Sequence, residues 1–108
     1  MSKKHIVVVG SSNMDLVAKA PRIPVLGETL TGTDFFMVPG GKGANQAVAA
    51  AKLGAEVIFV TRLGKDVFAS KSLENFASVN INTKHIYSYS KTIISVINQY
   101  NTSKFHTT

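Results

Sequence analysis

The chain reads as an α/β protein built on a parallel sheet. Three observations carry this reading: a continuous apolar run at residues 5–10, a second core strand at Glu56–Arg62, and a helical pattern that comes after each of them in the chain. Uninterrupted apolar strands are those covered on both faces, as parallel strands are. Strand–helix–strand–helix order implies parallel strands joined by right-handed crossovers.

Taken in order, residues 5–10 form the first core strand. Residues 13–20 and 29–38 alternate loosely, joined by a turn region from Pro21 to Gly27, and read as a two-stranded excursion before the first helix. Residues 42–53 are helical. Ala44, Ala47, Val48 and Ala51 mark one buried face, the alanines favour helix, and Gly54 stands where a left-handed cap is expected. Glu56–Arg62 is the second core strand. Asp66 is placed to cap a second helix, with Ala69, Leu73, Phe76 and Ala77 on one face. Lys84–Tyr89 and Ile93–Ile97 read as two further strands. Residues 98–108 are polar and unpatterned, and are expected to be a disordered tail beyond a domain at residues 1–97. No internal repeat is found. Glu28 and Glu56 read as solvated.

The chemistry concentrates where loop becomes helix, at Pro39-Gly40-Gly41-Lys42-Gly43-Ala44-Asn45-Gln46. Amides at a helix start lack intrahelical partners, and glycines let a ligand approach the backbone closely. A P-loop is excluded, because Gly43 follows Lys42 and Phe36 stands where its first glycine belongs; a dinucleotide fingerprint fails at Gln46. Spacing alone leaves two readings: an anion site at the helix start, or a turn that merely packs helix on sheet. Asn13 and Asp15, two apart on an extended segment, project to one face. A carboxylate beside an amide fits a vicinal diol, although a strand-end turn with Asx bonding explains the same residues. With Lys42 and Asn45 added, the set suits a polyol better than a bare phosphate.

Five segments in order resemble the ribokinase-like carbohydrate kinases of the PfkB family: Val7-Val8-Val9-Gly10-Ser11-Ser12-Asn13-Met14-Asp15, Pro24-Val25-Leu26-Gly27-Glu28-Thr29, Gly40 to Ala50, Leu53-Gly54-Ala55, and Gly64-Lys65-Asp66. The resemblance covers residues 5 to about 90. It implies a partial ribokinase-like, Rossmann-like sheet with a small β-sheet lid, whose strands fall at about 13–38 and 84–97. It implies a sugar site at Asn13, Met14, Asp15, Gly41, Lys42, Gly43, Ala44 and Asn45. It implies ATP-dependent phosphorylation of D-ribose to ribose 5-phosphate, or of another sugar or nucleoside, with Mg²⁺ and a monovalent cation such as K⁺. It implies a cytoplasmic homodimer formed through the lid.

The departures are equally specific. The family's "G-D-D-x-x-G" appears as Gly64 to Ala69 without its last glycine, and around residues 91–97, where the family usually has Thr-Gly before an alternating strand, this chain has Lys91-Thr92-Ile93-Ile94-Ser95-Val96-Ile97. No "G-A-G-D" motif is present, so no residue here matches the catalytic aspartate, and the ATP-binding half has no counterpart. The expectation is the N-terminal piece of such a kinase, from a truncated or frameshifted gene, holding the sugar half, inactive alone and binding no cofactor itself. A non-catalytic sugar-binding or oligomerisation module is the alternative.

Composition agrees with a small globular unit. The chain has 108 residues, 44% of them hydrophobic, and no cysteine, which excludes disulfides and thiolate metal sites. Lys3 and Lys4 precede an apolar run of only Ile6–Val9, too short for a signal peptide or a membrane span. The net charge of +6 is smeared, with six basic and three acidic residues in each half, so a nucleic-acid footprint is not expected. The histidines, His5, His85 and His106, lack metal-ligand spacing.

Overall fold

The structure is a computed structural model and describes residues 4–100. Two three-stranded sheets and two helices make it up. The core sheet holds β1 (His5–Val9), β4 (Glu56–Leu63) and β5 (Ile86–Ser88) in the order β1-β4-β5, all parallel. The lid sheet holds β2 (Asn13–Ala20), β3 (Asp34–Gly40) and β6 (Ile93–Tyr100) in the order β3-β2-β6. In it β2 runs antiparallel to β3 and parallel to β6.

Helices α1 (Lys42–Lys52) and α2 (Val67–Ser78) cover one face of the core sheet. Alternate residues of β4, namely Val57, Phe59, Thr61 and Leu63, are buried on that side. They meet Ala44 and Ala47 of α1, Ala69 and Phe76 of α2, and Val8 of β1. Phe59 and Phe76 are fully buried and meet edge to face, with ring centroids 5.3 Å apart. Both helices stop in the same way. After α1, Gly54 turns left-handed (φ 98°), its N–H bonds the Ala51 carbonyl, and the Ala55 N–H reaches back to Ala50. After α2, Asn80 does this at φ 61°, and the Ile81 N–H reaches back to Phe76. At the start of α2 the Asp66 carboxylate accepts from the Ala69 N–H at 2.9 Å, the cap expected from sequence.

On α2, Leu73 and Ala77 were expected on the buried face but are exposed, and Ser72 is buried with Ala69 and Phe76 instead. Four further expectations change. First, Lys84–Tyr89 does not supply a lid strand. Ile86–Ser88 joins the core sheet beside β4, because three alternating residues do not say which sheet receives them. Second, the last strand runs through Asn98 and Gln99 to Tyr100, into the expected tail. It pairs with β2 up to Ala20↔Tyr100, and ladder bonds need no apolar side chain. Residues 101–108 lie outside the described residues. Third, β3 begins at Asp34 and continues through Pro39 to Gly40; proline is tolerated there because β3 is an edge strand. Fourth, β1 is not covered on both faces. Val7 is 56% and Val9 75% exposed, since no described element covers the sheet face opposite the helices.

Two residues read as solvated have partners. Glu28 takes both guanidinium nitrogens of Arg22 at 2.6 Å and the Val25 N–H at 3.0 Å, closing the turn at Gly27 (φ 77°). Glu56 lies 3.0 Å from His5 Nε2.

Candidate functional site

Strand β2 enters the lid sheet directly from the end of β1, so Asn13 and Asp15 stand where the two sheets meet. Both point to the same face of β2, and the Asn13 amide N–H donates to the Asp15 carboxylate at 2.8 Å. This leaves the Asn13 carbonyl oxygen and one Asp15 oxygen for further partners. Across the ladder Asn13 faces Gly40, and Asp15 faces Val38. On the other side Ile93 adjoins Asn13, and Ser95 adjoins Asp15.

The glycines are required by proximity. A Cβ on Gly40 would lie 2.6 Å from Asp15 Oδ2. A Cβ on Gly41 would lie 2.7 Å from the Ser11 carbonyl oxygen and 2.9 Å from Asn13 Oδ1, and Gly41 also has φ 104°. A Cβ on Gly43 would lie 2.7 Å from the Gly10 Cα. The loop after β1 and the start of α1 thus touch backbone to backbone, and the Ala44 N–H donates to the Ser11 carbonyl at 3.0 Å. No side chain caps α1; the backbone carbonyl of Ser11 serves there instead.

The eight expected site residues divide as follows. Asn13, Asp15 and Gly41 are brought together. Gly43 and Ala44 are buried behind them and shape the backbone. Lys42 and Asn45 lie exposed on the first turn of α1; Asn45 also lines a cleft of about 330 Å³ with Val38 and Pro39. Met14 alternates to the opposite face of β2 and is 0% exposed, so its side chain packs rather than faces the cradle. A second cleft, of about 560 Å³, opens at the ends of β1 and β4 between Gly10, Ser11, Arg62, Tyr87 and Ile93. Sequence reasoning placed Gly10 in a strand and missed its contact with Gly43. The available signal was a glycine ending an apolar run, which often marks close backbone approach.

The groups brought together are the Asn13 amide, the Asp15 carboxylate and the Gly41 backbone, with Lys42 exposed on the adjoining first turn of α1. They can hold neighbouring hydroxyls by accepting and donating together. Among the described residues no three His, Asp or Glu side chains gather into a group that could hold a metal ion. Nor, among the described residues, is any helix long and apolar enough to cross a membrane.

Known proteins resemble this chain over most of its length. The chain is 47% identical over 83 residues to ribokinase from Bacillus subtilis, covering 77% of this chain and 28% of that protein. It is 46% identical over 81 residues to deoxyribokinase from Salmonella typhi, covering 75% of this chain and 26% of that protein. Its fold superposes on the structure of Arabidopsis thaliana ribokinase complexed with ribose and ATP with a TM-score of 0.78 at 33% identity, covering 91% of this chain and 32% of that one. The chain therefore spans between a quarter and a third of the length of these relatives. Its residues 3–104 match the pfkB family of carbohydrate kinases as a sequence family, and with this extent of match the chain belongs to that family.

Proposed function

We propose that this chain forms the sugar-recognition part of an ATP-dependent pentose kinase, with ribose as the acceptor. The observation that carries the reading is the Asn13–Asp15 pair, bonded at 2.8 Å and set against Gly41 at the open start of α1. Asp15 and Asn13 take adjacent sugar hydroxyls, Lys42 and Asn45 take others, and the Gly41 backbone admits the ring edge. In phosphoryl transfer, positioning of the attacking hydroxyl is a large part of catalysis, and this is the part these residues supply. The nucleotide, its Mg²⁺ and a monovalent ion are assigned to segments outside these residues, and so is the base. The reading includes a cytoplasmic protein that pairs with a second copy through the lid sheet, and it includes no turnover by these 108 residues alone.

Ribose titrated into the labelled chain should shift the amide resonances of Asn13–Asp15 and Gly40–Asn45. Asp15→Ala and Asn45→Ala should each weaken binding by about 1–3 kcal/mol, the cost of leaving a polar partner unpaired. Resonances that stay in place at saturating ribose, or variants that bind as the parent does, would refute the reading. A parallel titration with 2-deoxyribose tests the second reading, favoured by the similarity to a deoxyribokinase. Equal affinity for both sugars would place the 2-hydroxyl outside the Asn13–Asp15 contact.

A further inference from the structure

Asp66 does more than cap α2. While its Oδ1 accepts from the Ala69 N–H, the same carboxylate reaches Thr92. Oδ2 accepts the Thr92 N–H at 2.9 Å, and Oδ1 accepts the Thr92 hydroxyl at 2.8 Å. The Thr92 Oγ1 in turn accepts the Gly64 N–H at 3.0 Å. These bonds tie three places together: the end of β4, the start of α2, and the residue that immediately precedes β6. Thr92 is 8% exposed, so water competes poorly for them. Gly64 has no space for a side chain; a Cβ there would lie 2.7 Å from Asp66 Oδ2 and would overlap the backbone of Lys91 and Thr92.

The strand that follows needs such an anchor. Strand β6 is the edge of the lid sheet, and burial does not hold it: Ile93 and Val96 are each 69% exposed. Register is weakly specified where neither face of a strand is buried, and a slip of one residue turns every side chain to the other face. In the observed register Ile93 lies beside Asn13 and Ser95 beside Asp15. Ile93 also lines the cleft at the ends of β1 and β4. A one-residue slip would replace these neighbours of the cradle with the side chains that now face away from it.

We propose that Asp66 and Thr92 are positioning residues for the sugar site, which set the register of β6 on β2 and so place Ile93 and Ser95 beside Asn13 and Asp15. The functional half rests on the sugar reading above; the register half does not. The donors from Thr92 and Ala69, with the Thr92 amide the largest contributor, also hold the Asp66 carboxyl below its ordinary range.

Backbone amide exchange and cross-strand contacts in the labelled chain test this. Thr92→Val keeps the shape and removes the hydroxyl; Thr92→Ser keeps the hydroxyl. In Thr92→Val the β6 amides should exchange up to about tenfold faster, the scale of one lost hydrogen bond, with β1 and β4 amides unchanged. The Asp15–Ser95 contacts should weaken, and Thr92→Ser should restore both. Asp66→Ser, which still caps α2 but is too short to reach Thr92, should behave as Thr92→Val does. Unchanged β6 exchange in Thr92→Val and Asp66→Ser would overturn the proposal, and so would Thr92→Val unfolding β1 and β4 along with β6. Ribose separates the two readings. If β6 loosens as described but ribose moves no resonance in the parent chain, the sugar reading fails and the register role stands. If ribose binds the parent and Thr92→Val equally well and β6 is unmoved, the register role fails and the sugar reading stands.

Discussion

Gly41 is the residue on which the cradle turns. Its φ of 104° is costly for any side chain, and a Cβ would press on the Ser11 carbonyl and on Asn13 Oδ1. Gly41→Ala should therefore destabilise the chain by about 1–3 kcal/mol, the usual range for a residue held in a disfavoured backbone region. It should also push Asn13 out of its bond with Asp15. Chemical denaturation measures the first effect, and loss of the ribose-induced shifts at Asn13–Asp15 measures the second. A variant as stable as the parent would mean the loop relaxes freely. That Gly41 allows a close backbone approach was legible in the sequence, because two adjacent glycines stand directly before a helix. The Asp66–Thr92 bonds were not legible. Asp66 was recognisable as a cap from its local position, but nothing in a linear reading indicates that its second oxygen meets a residue 26 positions away.

At the scale of elements, the caps and the α1 face followed from local signals, whereas half of the expected α2 face (Leu73 and Ala77) and the sheet membership of Ile86–Ser88 did not. The face of α1, the glycine after it and the Asp66 cap follow from rules that act within a few residues, and each is found. Which sheet receives Ile86–Ser88, and how far β6 extends, depend on distant strands. The turn at Val25–Glu28 falls between these cases. Its Gly27 was legible, whereas the Arg22 partner of Glu28 was not. The Arg22 hydrogen bonds, with the Val25 N–H next, lower the Glu28 carboxyl to about 2. A depressed carboxylate stabilises the fold above its unfolded value of about 4.3 and loses that contribution as pH falls through the folded one. The Val25 amide should therefore titrate with a midpoint near 2 rather than near 4, and a midpoint near 4 would show the turn open in solution. Packing between elements gives a third expectation. Phe76 of α2 is fully buried edge to face on Phe59 of β4, so Phe76→Ala should cost about 3–5 kcal/mol. That is comparable to the whole stability of a small domain. Circular dichroism should find the variant largely unfolded at room temperature.

The whole molecule is thin and extended. Its radius of gyration is 17.5 Å, with extents of 60 × 38 × 19 Å, whereas a compact domain of about 100 residues has a radius near 13 Å. The lid sheet projects from a core one sheet and one helical layer deep. Apolar side chains are consequently exposed in two places. On the core sheet, Val7 and Val9 stand beside Ile58 and Val60, on the face away from both helices. On the lid, Phe35, Ile94 and Val96 are exposed. Contiguous apolar surface of this kind marks contact sites, and the open edges of β1 and β6 offer unpaired backbone groups beside it. The chain is therefore expected to associate with itself as concentration rises. The two faces make separable contributions. Val9→Lys places a charge on the core-sheet face, and Val96→Lys places one on the lid, both at positions exposed enough to tolerate it. Sedimentation velocity across a concentration series should find the parent self-associating. If the lid is the pairing surface, Val96→Lys should abolish a discrete dimer and leave any larger aggregates. If the core-sheet face governs association, Val9→Lys should remove the larger species and leave the dimer. A parent chain that stays monomeric throughout the series, with its β1 amides protected from exchange, would show that neither face drives association.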